Sequence, residues 1–154
     1  MALFNVRVYG LLIDDKKRLL VSDEFIRGNY ITKLPGGGLE IGEGTRDGLA
    51  REFMEEANLE VKVGDHFYTT DFFQISAFNN TDQIISIYYH VHASDTNTVV
   101  TKENAFDFLP EQVADINGTA EHLRWVALSE LSENTMTLPI DKVAIKILLD
   151  KHRF

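Results

Sequence analysis

The chain has 154 residues, of which 44% are apolar and 25% are charged, and these are the proportions of an ordinary globular domain. It contains no cysteine, which excludes a disulfide framework and any zinc site or nucleophile built on a thiolate. The net charge of −9 disfavours long nucleic acid, because such binding requires clustered Lys and Arg. The opening residues, MALFNVRVYG, lack the pattern of a signal peptide, and no segment approaches the ~20 apolar residues of a membrane span. We expect one domain over residues 1–154, located in the cytoplasm and away from membranes.

The first part of the chain predicts strands. Phe4–Ile13 carries alternating and then continuous apolar residues, which is typical of a strand. A polar turn at 14–17 separates it from the apolar run Arg18–Ser22, so we expect these two strands to pair as a hairpin. Asp23–Asn29 is charged and predicts a loop, whereas Tyr30–Leu34 predicts a short strand that leads into a run of glycines.

The stretch Gly37–Leu59, GGLEIGEGTRDGLAREFMEEANL, predicts a glycine-rich turn followed by a helix. Thr45 is expected to cap the free N–H groups at the helix start, and Asp47 lies in the first turn, where the helix dipole favours an anion. Apolar residues recur at three- and four-residue spacing and predict one buried helix face. That face comprises Leu49, Ala50, Phe53, Met54 and Ala57.

Three carboxylates of this helix, Glu52, Glu55 and Glu56, fall at positions i, i+3 and i+4 and therefore lie close together on its surface. Arg51 is the single cation within that turn. Hard cations such as Mg²⁺ bind one or two carboxylates and complete their shell with water and substrate phosphates. The cluster is a candidate Mg²⁺ site, and the alternative is an acidic helix face in contact with solvent.

The rest of the chain predicts further strands, one long loop and a second helix. The predicted strands are Glu60–Tyr68, Thr70–Ala77, Gln83–Ala93 and Leu123–Leu128. A turn is expected at residues 79–82, and the mixed segment Ser94–Gly118 is expected to be a functional loop with a short helical turn. Residues 129–133 predict a short helical piece. Pro139 opens the last helix, with an apolar face of Val143, Ala144, Ile147 and Leu148. Strands on both sides of a central helix predict an α/β or α+β fold.

The stretch Gly37–Leu59 resembles the Nudix box, GX5EX7REUXEEXGU, in which U is a bulky apolar residue. Every fixed position matches except Asn58, which stands where the family has glycine. That position follows the helix and calls for a left-handed backbone, which Asn tolerates best among the other residues. The resemblance implies the Nudix fold, an α/β/α sandwich with a mixed sheet.

The resemblance also implies an activity: hydrolysis, with Mg²⁺ or Mn²⁺, of a nucleoside diphosphate linked to another moiety. The implied metal ligands are Glu52, Glu56 and the carbonyl of Gly37, with Glu55 as a third ligand or as the base for the attacking water. Glu43 and Arg51 would form an ion pair that braces the loop against the helix. A further ligand or base often comes from a later loop in this family, and the candidates are Glu103, Glu111 and Glu121. Glu121 is favoured because it comes just before the last predicted strand, although an exposed Glu is most often an ordinary surface residue.

Five other residues have both a functional and an ordinary interpretation. His90 and His92 share one strand face and could hold a metal, but they lack a third ligand at matching spacing and are more simply strand histidines. Trp125 could stack on a base, although a lone strand Trp more often belongs to the core. Lys33 and Arg27 precede the glycines and could meet substrate phosphates.

The substrate stays open at this stage. Phe73 stands where ADP-ribose hydrolases of the family carry a proline, and the markers of the dinucleoside polyphosphate and NADH subfamilies are also missing. A nucleoside triphosphate, a nucleotide sugar or ADP-ribose all fit a phosphorylated small-molecule substrate. We expect a hydrolase because every charged position of the box is intact. A non-catalytic nucleotide-sensing module on the same fold is the alternative, and an isoprenoid-diphosphate isomerase would require a catalytic cysteine. A homodimer is a further expectation.

Overall fold

The computed structural model describes residues 1–151, within which it has seven strands, two α-helices and two short 3-10 helices. The strands are β1 (Phe4–Leu12), β2 (Arg18–Ile26), β3 (Asn29–Lys33), β4 (Gly36–Gly38), β5 (Lys62–Thr69), β6 (Gln83–His92) and β7 (Thr119–Ala127). The α-helices are α1 (Thr45–Ala57) and α2 (Pro139–Lys151), and the 3-10 helices are Pro110–Gln112 and Glu133–Thr135. Residues 1–12 and 35–96 form one compact unit, and residues 13–34 with the described residues from Asn97 onward form another.

The first unit is built on a four-stranded sheet in the order β4-β1-β6-β5. β1 and β6 are parallel, whereas β4 pairs with β1 and β5 pairs with β6 in antiparallel fashion. The sheet is therefore mixed, as predicted. Gly36–Gly38, which we expected to be part of a turn, instead form the edge strand β4, because each of these residues has a β1 partner.

Helix α1 packs its apolar side on this sheet. Phe53 is fully buried, and its ring fills the space that a side chain on Gly10 of β1 would occupy, since an added Cβ would lie 2.5 Å from Phe53 Cε2. Leu49 is also fully buried, but the prediction that Met54 is buried is wrong, because 46% of it is exposed. The helix ends at Asn58, whose φ of 48° and ψ of 42° give the left-handed backbone expected there.

The second unit contains a three-stranded antiparallel sheet in the order β3-β2-β7. β1 and β2 lie in different sheets, so the predicted hairpin is wrong. A single bridge between Ile13 and Leu19 is what remains of it in the described residues. Both apolar runs are strands, but β1 pairs with β4 and β6, whereas β2 pairs with β3 and β7.

The predicted loop Asp23–Asn29 is also wrong, because β2 continues to Ile26 and turns only at the positive-φ residues Arg27 and Gly28. The charged side chains in this strand are buried and paired. Asp23 accepts hydrogen bonds from Arg124 at 2.7 and 3.0 Å and from the Thr32 hydroxyl at 2.7 Å. Glu24 lies 3.1 Å from the ammonium of Lys33. These pairs remove the cost of burying charge and make a polar sequence compatible with a central strand.

The remaining predictions are met in part. The predicted strand Thr70–Ala77 is reduced to one bridge between Ile75 and Gln83, whereas the long loop and its helical turn are confirmed by the 3-10 helix that begins at Pro110. The later 3-10 helix spans Glu133–Thr135, and it begins at the last of the residues 129–133 at which we expected a short helical piece to start. In α2 the buried residues are Ile140, Asp141, Ala144, Ile145 and Leu148, so Val143 and Ile147 are more exposed than expected. No helix within residues 1–151 has the length and apolarity that a membrane span requires.

Candidate active site

The start of α1 differs from the prediction. Gly44, not Thr45, is the N-cap residue, and it makes no side-chain cap bond. Thr45 is the first helical residue, and its hydroxyl hydrogen-bonds the Tyr89 hydroxyl of β6 at 2.7 Å. Thr45 therefore ties the start of the helix to the sheet. Asp47 lies in the first turn as predicted.

Arg51 connects the three segments that surround the helix. Its Nε and Nη2 donate to the two carboxylate oxygens of Glu43 at 3.0 and 2.7 Å, which confirms the predicted ion pair. Nη2 also donates to the carbonyl oxygen of Gly38 at 3.2 Å. Nη1 donates to Glu52 and to Glu55, both at 3.1 Å. A guanidinium has five N–H donors, and all five of Arg51 are used within this cluster.

The Glu43–Arg51 pair sets the charge state of both partners. The hydrogen bonds from Arg51, together with one from the Glu40 backbone N–H at 2.9 Å, lower the pKa of Glu43 from 4.5 to about 2. The bonds to Glu43, and those to Glu55 and Glu52, raise the pKa of Arg51 above its ordinary value. The loop between β4 and α1 is thus held to the helix by a bidentate ion pair whose two groups are both charged at neutral pH.

Glu52 and Glu56 lie against the glycine strand β4. The Glu52 carboxylate occupies the place of a side chain at Gly37, since an added Cβ there would lie 2.7 to 2.9 Å from its atoms. Its side chain is 12% exposed. Glu56 accepts a hydrogen bond from the backbone N–H of Gly36 at 3.4 Å. Glu55 points further outward, with 57% of its side chain exposed. Glycine at these strand positions is what allows the carboxylates to approach the backbone.

The register of β4 decides which of its backbone groups are available. Val8 of β1 is opposite Gly37. Two residues away on either side, Gly10 donates to the carbonyl of Pro35, and Leu39 donates to the carbonyl of Val6. Antiparallel pairs alternate, so the N–H and C=O of Gly37 face β1. The backbone groups of Gly36 and Gly38 point away from β1, toward Glu56 and Arg51 respectively. The resemblance singles out Gly37, whereas the two-residue alternation of the strand turns the backbone groups of its neighbours Gly36 and Gly38 outward.

Arg51 contacts three of the carboxylates, those of Glu43, Glu52 and Glu55. Within residues 1–151, no group of three His, Asp or Glu side chains converges as it would around a metal ion. The donor chemistry nevertheless fits Mg²⁺ or Mn²⁺, because three carboxylates and outward-facing backbone carbonyls of β4 supply only oxygen donors.

The remaining candidate residues have ordinary environments. Glu121 lies within β7, opposite Glu24, and not before the strand as expected. Lys33 is buried against Glu24, so its suggested contact with a phosphate is wrong. The His90 ring packs edge-on against Phe67, with centroids 5.2 Å apart. The guanidinium of Arg18 lies over the Trp125 ring at 5.2 Å.

Residues 3–147 match the family model of the NUDIX domain, which is nearly the whole chain. The chain belongs to the Nudix hydrolase family. The predicted resemblance and the prediction of an enzyme of this family are confirmed, and the Nudix chain spans both compact units with a single family match.

Solved structures similar to this Nudix chain share its fold. A NUDIX hydrolase from Nitrosomonas europaea is 19% identical, with a TM-score of 0.64, and 98% of this chain and 92% of that chain are covered. A MutT protein from Methanosarcina mazei Go1 is 18% identical, with a TM-score of 0.65 and coverage of 97% and 96%. An ADP-ribose pyrophosphatase from Streptococcus suis is 14% identical, with a TM-score of 0.55 and coverage of 97% and 92%. None of the curated proteins matches the Nudix chain in sequence. The predicted mixed α+β fold is confirmed.

Proposed function

We propose that this protein hydrolyses the pyrophosphate bond of a nucleoside diphosphate linked to another moiety, with Mg²⁺ or Mn²⁺ as its cofactor. The observation that carries the proposal is the placement of Glu52 and Glu56 directly against the backbone of β4, whose glycines let the carboxylates approach it. Arg51 and Glu43 keep this arrangement in place.

The divalent cation would be held by Glu52, Glu56 and a backbone carbonyl of β4, with Glu55 as a third ligand or as the base for the attacking water. When bound, it would polarise phosphoryl oxygens and lower the pKa of bound water. The resemblance implies the carbonyl of Gly37, but the register of β4 favours that of Gly36. The Gly37 carbonyl faces β1, and that of Gly38 already accepts from Arg51.

The other box residues have supporting roles in this proposal. Glu55 is the most exposed carboxylate of the cluster and is the best placed to accept a proton from an attacking water. Arg51 and Glu43 act on the other carboxylates by orienting them, and they do not need to touch the substrate. Glu121 lies in the other compact unit, and its role as an extra ligand or base stays a prediction.

The substrate is a phosphorylated small molecule in this proposal. The S. suis neighbour is an ADP-ribose pyrophosphatase, which supports ADP-ribose as one candidate beside nucleoside triphosphates and nucleotide sugars. With a net charge of −9, this acidic protein would meet a polyphosphate through cations and not through a basic surface. The family match across residues 3–147 supports a single domain, while the cytoplasmic location and the homodimer stay predictions.

The test is hydrolysis of a panel containing nucleoside triphosphates, ADP-ribose, nucleotide sugars and dinucleoside polyphosphates, with Mg²⁺, with Mn²⁺ and with chelator. E56Q keeps the side-chain shape but removes a charge, so metal-dependent turnover should fall about a hundredfold or more. E60Q is the matched control, because Glu60 is exposed and lies beyond the end of α1. Equal turnover by E56Q and E60Q would contradict the metal assignment. Tight nucleotide binding without turnover would instead favour the sensing module.

A further inference from the structure

A side-chain cation beside the divalent cation would strengthen binding of the substrate phosphates, and Arg51 already uses all five of its donors within the carboxylate cluster. Residues 1–12 and 35–96 contain three further Lys or Arg residues, namely Arg7, Arg46 and Lys62. Arg46 lies toward β5, at the opposite edge of the sheet from β4, where its Nη1 donates to the carbonyls of Val63 and Gly64 and its guanidinium lies over the Tyr89 ring at 4.7 Å. Lys62 is exposed on β5, at the opposite edge of the sheet from β4.

Arg7 is the cation next to the glycine strand. It is half-buried on β1, directly opposite Gly38 of β4. Its Nη1 lies 3.6 Å from the position that a Cβ on Gly38 would occupy. The guanidinium therefore lies beside the backbone of β4, at ordinary contact distance from the position of a side chain on Gly38.

The position of Arg7 is fixed by an aromatic neighbour. Its Nε donates to the Tyr9 hydroxyl at 2.6 Å, and its guanidinium lies 5.7 Å from the Tyr9 ring centroid. Tyr9 is 2% exposed and stacks on Tyr88 of β6, with ring centroids 5.5 Å apart. A buried, stacked ring is a rigid support, so less side-chain entropy is lost when the guanidinium binds an anion.

The residues in register around Arg7 favour an anion. Its neighbour on β6 is Ser86, a fully buried residue whose hydroxyl has no hydrogen-bond partner in the part of the chain that the structure describes. The residues in register with Arg7 and Tyr9 on β4 and β6 are Gly36, Gly38, Ser86 and Tyr88, and none of them is acidic. The opposite face of β4, by contrast, carries Glu52 at Gly37.

We propose that Arg7, supported by Tyr9, is a phosphate-binding residue for the substrate at the edge of the sheet formed by β4. This inference rests on the proposed function, to which it adds the residue that contacts the substrate phosphates. The divalent cation would neutralise charge on the carboxylate side of β4, and Arg7 would do so on the other side. A planar guanidinium is suited to bind two phosphate oxygens at once.

The first test measures binding of inorganic pyrophosphate by calorimetry, with chelator present so that the carboxylate cluster does not contribute. R7M should weaken binding about tenfold or more, because it removes a charged, two-pronged contact. R7K keeps the charge but loses the planar bidentate geometry of the guanidinium, so its affinity for pyrophosphate should lie between those of R7M and the wild type. K62M removes one charge from the same unit and should leave the affinity unchanged.

The second test uses kinetics on any substrate that the wild type hydrolyses. R7M should raise KM about tenfold with a smaller change in kcat, since the contact serves binding in both the ground and transition states. Thermal unfolding of each variant checks that the fold is retained, and R7K carries the test if R7M does not fold.

The outcomes separate this inference from the proposed function. If R7M and K62M bind pyrophosphate and turn over substrate equally, Arg7 is not the phosphate residue, while the hydrolase proposal stands. If the wild type hydrolyses nothing but R7M still weakens pyrophosphate binding, the hydrolase proposal fails and the anion site stands. Absence of pyrophosphate binding by the wild type would overturn the assignment of Arg7.

Discussion

At the scale of single residues, Arg51 is the centre of the candidate site. One guanidinium contacts Glu43 in the loop, Gly38 in β4 and two carboxylates of α1, Glu52 and Glu55. Without it, Glu52 and Glu55 would lose the cation that both of them contact. The contacts of Arg51 with these carboxylates and with β4 account for its presence in the box without a direct contact with substrate.

The pairing of Glu43 with Arg51 predicts a pH dependence. Because folding lowers the pKa of Glu43 from 4.5 to about 2, this carboxylate favours the folded state above its ordinary pKa. That contribution is lost as the pH falls from about 4.5 toward about 2, where the folded protein must take up the proton. E43Q lacks this ionisation. Its free energy of unfolding, measured by denaturant titration, should fall less steeply with acid than that of the wild type, and parallel curves would contradict the pair.

At the scale of elements, the site depends on β4 being a strand of glycines. The sequence identified the glycines, the helix after them and the carboxylates at the right spacing. It did not show that residues 36–38 pair with β1, because a glycine run has no apolar alternation from which a strand could be recognised. The assignment of a turn was thus wrong at the element that positions the carboxylates.

Alanine substitutions at the three positions of β4 should differ in their effects on turnover and stability. In G37A the new Cβ would lie 2.7 Å from the Glu52 carboxylate, which can swing away, so we expect a large loss of turnover with a small loss of stability. In G36A the Cβ would overlap the Val8 carbonyl at a φ of +145°, so the strand itself should be destabilised.

G38A is the matched control for this series, since its Cβ would meet only Arg7 Nη1, at an ordinary 3.6 Å. The measurements are thermal unfolding and turnover for all three variants. If G37A were as active as G38A, the close approach of Glu52 to Gly37 would have no functional consequence.

At the scale of the whole molecule, the sequence predicted the family, the mixed α+β class and most apolar strands, because these follow from local patterns. It missed the pairing of strands. β1 and β2 are neighbours in sequence but belong to different sheets, and β1 instead pairs with β6. Asp23 made β2 look like a loop because its partner, Arg124, lies 101 residues away. Long-range charge pairs of this kind leave no signal in the residues around either partner.

Binding of a divalent cation by the carboxylates of α1 can be tested without any assumption about substrate, by equilibrium binding of Mn²⁺ followed by electron paramagnetic resonance. Free Mn²⁺ gives a sharp signal that is lost on binding. We predict that the wild type and E60Q bind Mn²⁺ equally, and that E56Q binds it about tenfold or more weakly, because one charged oxygen ligand is lost. Equal binding by E56Q and the wild type, or no binding by the wild type, would contradict the account.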